Sequence, residues 1–191
     1  EKDVYVLAWT TTPWTLPGNV ALAFGPEVKY IKVQAKTAED TEETYIVAEK
    51  LADSVFGEGK YVVIETVDQK KLVGKHYEPL FDYYVNAELP GEIYSINIGD
   101  FVTTEDGTGV VHIASMFGED DYNFGQKYGY AQINHVNMDG TFREEVKDFV
   151  GKSVIGQNSN VADFLAKKGL LFKKYNYKHS YPHCWRCDTA L

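Results

Sequence analysis

Three stretches of this chain gather side chains with usable chemistry. The first, WTTTPWTLPGN at residues 9–19, sets the hydroxyls of Thr10, Thr11, Thr12 and Thr15 beside Trp14 and Asn19. Proline restricts both itself and the residue before it, so Thr12 and Leu16 are pushed to extended geometry and Gly18 permits a tight turn. The hydroxyls therefore sit on a stiff loop, which suits a binding surface. The same composition also suits a plain strand end, since threonine favours strands and bonds its own backbone. The second stretch, EDGTGVVHIASMFGEDDYNFGQKYG at residues 105–129, carries His112 in an apolar strand and Asp121 near a helix start. His112 could line a pocket or donate a hydrogen bond, and Asp121 could hold a cationic group. Equally, His112 could be a satisfied core histidine and Asp120 or Asp121 a helix cap. The third, HSYPHCWRCDTAL at residues 179–191, holds both cysteines, Cys184 and Cys187, as CxxC. That is half of a zinc site or a redox pair. Zinc takes four ligands, so either His179 and His183 complete the set or further ligands lie outside this chain. His183 adjoins Cys184, and adjacent residues rarely point at one metal; outside ligands are therefore expected, with free thiols as the alternative.

Positioning these groups falls mainly to strands. Segments rich in β-branched and aromatic residues recur at Val4–Trp9, Val20–Phe24, Lys29–Gln34, Thr44–Ala48, Lys60–Glu65, Ile93–Ile98 and Gly109–Ala114. Helical signals are few: Glu49–Val55, Asp120–Tyr128 and Val161–Lys168. A mainly β fold with peripheral helices is expected, its antiparallel strands closing into a distorted barrel. Residues 69–80, QKKLVGKHYEPL, read as a crossing strand ending at a proline bend. The basic, aromatic stretch from Leu170 onward differs from all before it. The expected division is a domain at 1–170 and the start of a return linker at 171–191, with half of a zinc knuckle.

With 191 residues, 44% hydrophobic and 25% charged, the chain is long enough for a real core and is not a disordered sequence. Its formal net charge of -9 argues against gripping nucleic acid by neutralising phosphates. No apolar run is long enough to cross a membrane as a helix, no secretory leader is recognisable, and two cysteines suit a reducing compartment, so a cytoplasmic location is expected. Both ends read as cut, as in an excised domain.

Together and in this order, WTTTPWTLPGN, GTGVVHIASMFGEDDY and YPHCWRCDTAL resemble the editing insertion of isoleucyl-tRNA synthetases, over essentially the whole chain. Valyl and leucyl relatives usually carry arginine after the threonine pair, whereas Thr12-Pro13-Trp14 is the isoleucyl form. HIGH-like and KMSKS-like signatures of the synthetic site are absent from the chain. The resemblance implies post-transfer editing: hydrolysis of the ester in Val-tRNA(Ile). Thr10, Thr11, Thr12 and Thr15 would line the site with Trp14 as a wall and Asn19 as a polar contact. Asp121 would bind the α-ammonium, and His112 would face the amino-acid side chain and exclude isoleucine. The catalytic set is then Asp121, Thr12 and His112, with the ribose hydroxyl orienting the water and neither Asp121 nor His112 a general base. No cofactor is implied for editing; zinc at Cys184 and Cys187 would need ligands from elsewhere. The implied partners are the 3′ end of tRNA(Ile) and the rest of a parent synthetase, with the domain itself a monomer. Alternatives are a valyl or leucyl editing domain, or a non-catalytic module that docks the acceptor end. The loop reads Ser115-Met116 where the family commonly has proline and a small residue, which would relax the path between His112 and Asp121.

Overall fold

A computed structural model describes residues 3–37, 40–177 and 183–189. The seven expected segments rich in β-branched and aromatic residues each form a strand: β1 (Val4–Val6), β2 (Ala21–Phe24), β3 (Tyr30–Lys36), β4 (Glu42–Ala48), β5 (Tyr61–Val67), β6 (Ser95–Ile98) and β7 (Val110–Ile113). The expected helices form too. A 3-10 turn at Glu49–Leu51 leads into α1 (Ala52–Phe56), and α2 (Glu119–Tyr128) and α3 (Asn158–Lys167) follow. The architecture is mixed, with more strand than helix.

The strands pair as a four-stranded sheet ordered β1-β4-β3-β5 and a three-stranded sheet ordered β6-β2-β7. Antiparallel pairing holds for β3 with β4 and β5, and for β2 with β7. Two pairings depart from the all-antiparallel expectation: β1 with β4 and β2 with β6 are parallel. In each case the partners are separated by intervening strands, and such long connections let a strand enter from the same end as its neighbour. The chain just after β1 joins the two sheets. Leu7 N–H donates to the Ile46 carbonyl at 3.2 Å and Trp9 N–H to the Val110 carbonyl at 3.3 Å, Trp9 bridging Val111 in parallel.

Residues 69–80 are not a strand. Gln69–Lys71 form a 3-10 turn, Gly74 turns the chain at φ 76°, and pairing with β6 is confined to residues 74–76: an isolated bridge of His76 to Ser95, Gly74 N–H on the Ile96 carbonyl at 2.9 Å and Ile96 N–H on the Lys75 carbonyl at 3.0 Å. The left-handed glycine breaks the extended run expected there.

Leu22, Phe24, Tyr30, Ile46, Ile96 and Val110 come from both sheets and pack into one buried cluster. Each such fully buried side chain stabilises the fold by about 1.5–3 kcal/mol. Tyr30 stitches the sheets: its hydroxyl donates to the Gly109 carbonyl at 2.5 Å and accepts from Gly25 N–H at 2.8 Å. Burial pushes its pKa up to about 12, which keeps that donor proton in place. A second cluster lies where β2 and β7 meet α2, with Ala23, Ile113, Phe124 and Tyr130. A third, of Leu16, Phe81, Phe142, Val146, Phe149, Val161 and Leu165, fastens the turn after Thr12 to α3.

Candidate functional site

The threonine loop is a 3-10 helix over Pro13–Gly18, with Thr12 at its N-cap position and proline at its first residue. Proline suits that place because the first helical N–H has no partner within the helix. Thr10 Oγ1 accepts from Thr12 N–H at 3.0 Å, and the Thr12 carbonyl accepts both Thr15 N–H at 2.9 Å and the Thr15 hydroxyl at 2.8 Å. The hydroxyls of Thr10 and Thr15 therefore shape the loop before any ligand arrives.

Strand β7 brings His112 against this loop. Its Nε2 lies 3.0 Å from Thr15 Oγ1. The Thr15 hydroxyl has already given its proton to the Thr12 carbonyl, so the imidazole is the donor and carries its hydrogen on Nε2. Nδ1 is then a lone pair, 3.5 Å from Asn19 Nδ2. Asn19 also donates to the carbonyls of Ala21 at 2.9 Å and Ile113 at 3.3 Å, and accepts from the Tyr77 hydroxyl at 2.5 Å. Burial, and then the nearby His135, push the His112 pKa down to about 4. His112 is thus a neutral, oriented ring at neutral pH.

Asp121 stands in the first turn of α2, but neither it nor Asp120 caps the helix; Gly118 holds the N-cap position without a side-chain bond. The Asp121 carboxylate instead reaches back to accept Ala114 N–H at 2.7 Å. Burial pushes its pKa up to about 6, against the pull of that amide. The Ser115-Met116 segment between the two groups is pinned without a proline. Ser115 is 1% exposed and its hydroxyl donates to the Ala131 carbonyl at 2.6 Å, while Phe117 N–H closes a turn onto Ala114 at 2.8 Å.

Trp14 joins the two stretches. Its ring meets Phe117 edge-on at 5.3 Å, and Phe117 stands midway along the loop from His112 to Asp121. Thr10, Thr11, Asn19 and His112 line a large cleft between the two sheets, as do Tyr77 and Asn158. Thr12, Trp14, Thr15 and Asp121 are not among the residues lining that cleft. Thr15 is 4% exposed and its hydroxyl is engaged on both sides. Sequence reasoning missed Tyr77, His135 and Asn158. None of them belongs to a motif, and only Tyr77 lay in a stretch singled out beforehand.

Cys184 and Cys187 lie in a tight turn, where Asp188 N–H donates to the Cys184 carbonyl and Cys184 N–H to that of Thr189, both at 2.8 Å. The Cys187 thiol is 3.3 Å from Thr189 Oγ1, and that hydrogen bond lowers its pKa. The turn offers two of the four ligands that zinc takes. No group of three or more histidine, cysteine or acidic side chains fit to hold a metal occurs among the described residues, and His179 lies outside them. Nor is any helix among the described residues long and apolar enough to cross a membrane.

No protein-family model matches the chain. Over its whole length it is 42% identical to the isoleucine–tRNA ligase of Clostridium tetani and 44% identical to that of Bdellovibrio bacteriovorus. It spans 18% of the length of each of these relatives. Among solved structures it resembles GlLeuRS-CP1 at a TM-score of 0.67 and 16% identity, covering 92% of this chain and 86% of that one. It also resembles the editing domain of the P. knowlesi cytosolic leucyl-tRNA synthetase at a TM-score of 0.62 and 14% identity, covering 87% of this chain and 83% of that one.

Proposed function

Because the chain belongs to the isoleucyl-tRNA synthetase editing domains, we propose that it hydrolyses the aminoacyl ester of Val-tRNA(Ile). The chemical need is general. A pocket discriminates against a side chain one methylene smaller by only about 1 to 3 kcal/mol, isoleucyl enzymes facing valine being the standing illustration. A second site that admits valine and excludes isoleucine removes what the first lets through.

The observation that carries this reading is the hydrogen-bonded set Thr12, Thr15 and His112, with Asn19 and His112 on the wall of one cleft. In this reading the terminal adenosine enters beside Thr10, Thr11 and Thr12. His112, neutral and held by Thr15, faces the amino-acid side chain as a fixed steric limit. Asp121 takes the α-ammonium, a charge-assisted contact that orients the ester. A bound ammonium favours the carboxylate and lowers its affinity for a proton, so Asp121 is not the base. The ribose hydroxyl next to the ester orients the attacking water. Water adds to the ester carbonyl, the ribose oxygen leaves with a proton, and free valine and tRNA result. The Thr12-Pro13-Trp14 form, in place of the arginine that valyl and leucyl relatives usually carry after the threonine pair, favours the isoleucyl substrate.

The domain proper is residues 1–170, its two sheets being halves of one distorted barrel joined at Trp9 and Val111. Residues 171–191 begin the return to the parent enzyme, and Cys184 and Cys187 supply half of a zinc site completed from outside. Editing uses no metal in this reading. The domain acts as a monomer in the cytoplasm. With a charge of -9, it leaves most tRNA contacts to the rest of the parent synthetase and binds tRNA weakly alone.

Deacylation of Val-tRNA(Ile) against Ile-tRNA(Ile), by the wild type and Asp121→Ala, tests the reading. Selective loss of the valyl ester with wild type only is expected. No loss above the uncatalysed rate at high domain concentration leaves a non-catalytic module that docks the acceptor end. Preference for a threonyl or other non-cognate ester on tRNA(Val) or tRNA(Leu) favours a valyl or leucyl editor.

A further inference from the structure

The Trp14 peptide is gripped on both sides by residues that come far later in the chain. Its N–H donates to Asn158 Oδ1 at 3.1 Å, and its carbonyl lies 3.1 Å from His135 Nε2. Both contacts answer a deficit written into the loop. The N–H belongs to the first turn of the Pro13–Gly18 helix, where no earlier carbonyl of the helix can accept it. The carbonyl should accept from the residue three positions on, as Thr12 does from Thr15 and Leu16 from Asn19. That residue is Pro17, which has no N–H.

His135 replaces the missing donor. A carbonyl can only accept, so the histidine carries its proton on Nε2. Its Nδ1 is left with no partner and points at Gly18, where an added Cβ would come within 2.3 Å of it. The ring is wholly buried, 4.5 Å from Phe117 and stacked on Phe142 at 6.0 Å, so it cannot turn aside. Asn158 opens α3, which packs against the same turn and lines the cleft.

We propose that His135 and Asn158 are positioning residues that lock the Pro13–Gly18 turn from its two sides and so hold Thr12 and Thr15 in register with His112. Their effect on turnover rests on the ester hydrolysis proposed above; the lock itself does not.

The test compares Asn158→Ala with Asn158→Asp, and His135→Phe with the wild type, in the 191-residue chain. Asparagine and aspartate both offer an acceptor to Trp14 N–H, whereas alanine offers none. Asn158→Ala should speed amide hydrogen exchange at Trp14 about tenfold, as expected for one lost hydrogen bond, and Asn158→Asp should restore protection. With Val-tRNA(Ile), Asn158→Ala and His135→Phe should lower kcat about tenfold with KM little changed, since a misplaced loop harms the reacting geometry more than binding. Unchanged exchange in Asn158→Ala, or no restoration by Asn158→Asp, overturns the lock. Faster exchange with unaltered kcat in both Asn158→Ala and His135→Phe overturns the positioning role. If wild type cleaves neither ester, the hydrolase reading falls, while the exchange measurement still decides the lock. Asn158 is only half-buried at a helix end, so its variants fold even where His135→Phe does not.

Discussion

Asp121 accepts the Ala114 amide at 2.7 Å, two residues beyond His112 in the chain, so the acid of α2 and the histidine of β7 hang on one short piece of backbone. Their separation is set by that tie and by the buried Ser115 hydroxyl on Ala131, not by the loop between them. A carboxylate tethered by one oxygen keeps the other for a cation.

The tether gives a pH profile. Burial raises the Asp121 pKa to about 6, so the free enzyme loses the anionic form as pH falls through that value. The ratio of wild-type to Asp121→Asn kcat/KM for Val-tRNA(Ile) should therefore drop below pH 6, and dividing by the variant removes the intrinsic base lability of the ester. Bound ammonium holds the carboxylate ionised, so the fall in kcat should come at lower pH than the fall in kcat/KM. A flat ratio from pH 5 to 8 would separate Asp121 from the ammonium.

Gly118 guards the same carboxylate. A Cβ at Gly118 would come 2.4 Å from Asp121 Oδ2, the mobile end of a short side chain. Gly118→Ala should fold, turn Asp121 out of place and reduce deacylation by about 10- to 100-fold, the range of one charge-assisted contact. Circular dichroism melts alongside single-turnover rates check it: loss of rate with a Tm near that of wild type is expected.

His112→Ala should convert the sieve. Removing the ring opens space beside Thr15 and lets cognate Ile-tRNA(Ile) be hydrolysed, read as the Ile/Val ratio of deacylation rates. Thr15 keeps its bond to the Thr12 carbonyl, so the stability loss beyond the cavity should be small, about 1 kcal/mol for the lost hydrogen bond. An unchanged ratio would remove His112 from specificity.

Acid should weaken the fold before the carboxylates of the surface protonate. His112 and His135 are both held neutral, with pKa values pushed down to about 4 by burial. The unfolded chain binds those protons near pH 6.5, so each histidine's contribution is present above that pH and is lost between 6.5 and 4. The loss is roughly 3 kcal/mol per histidine. Asp121 works in the opposite sense: its raised pKa means that protonation favours the folded state as pH falls through 6. Urea melts from pH 7 to 4 should show net destabilisation, and His135→Phe should flatten the slope relative to wild type.

The strands were legible because β-branched and aromatic runs punctuated by glycine and proline admit little else, and every one of those runs forms a strand. Their directions were not. Alternation tells which face of a strand is buried, never whether its neighbour runs with it, and β1 with β4 and β2 with β6 are parallel. Residues 69–80 misled because Gly74 takes a left-handed conformation, φ 76°, that interrupts the extended run expected there. At the site, the threonine loop and His112 were visible as motifs and meet in space. His135 and Asn158 gave no local signal, since each serves a backbone atom of a turn more than a hundred residues away. The missing donor at Pro17 was readable, but not what would supply it.

The Thr15–His112 bond spans 97 residues, and the two bonds on the Trp14 peptide span 121 and 144. During synthesis the threonine loop thus leaves the ribosome long before anything that fastens it, and α3 must emerge before the last bond can close. A chain that stops short of α3 cannot hold the threonine loop from both sides. The loop reaches this order only once residues 9 to 158 have all been made.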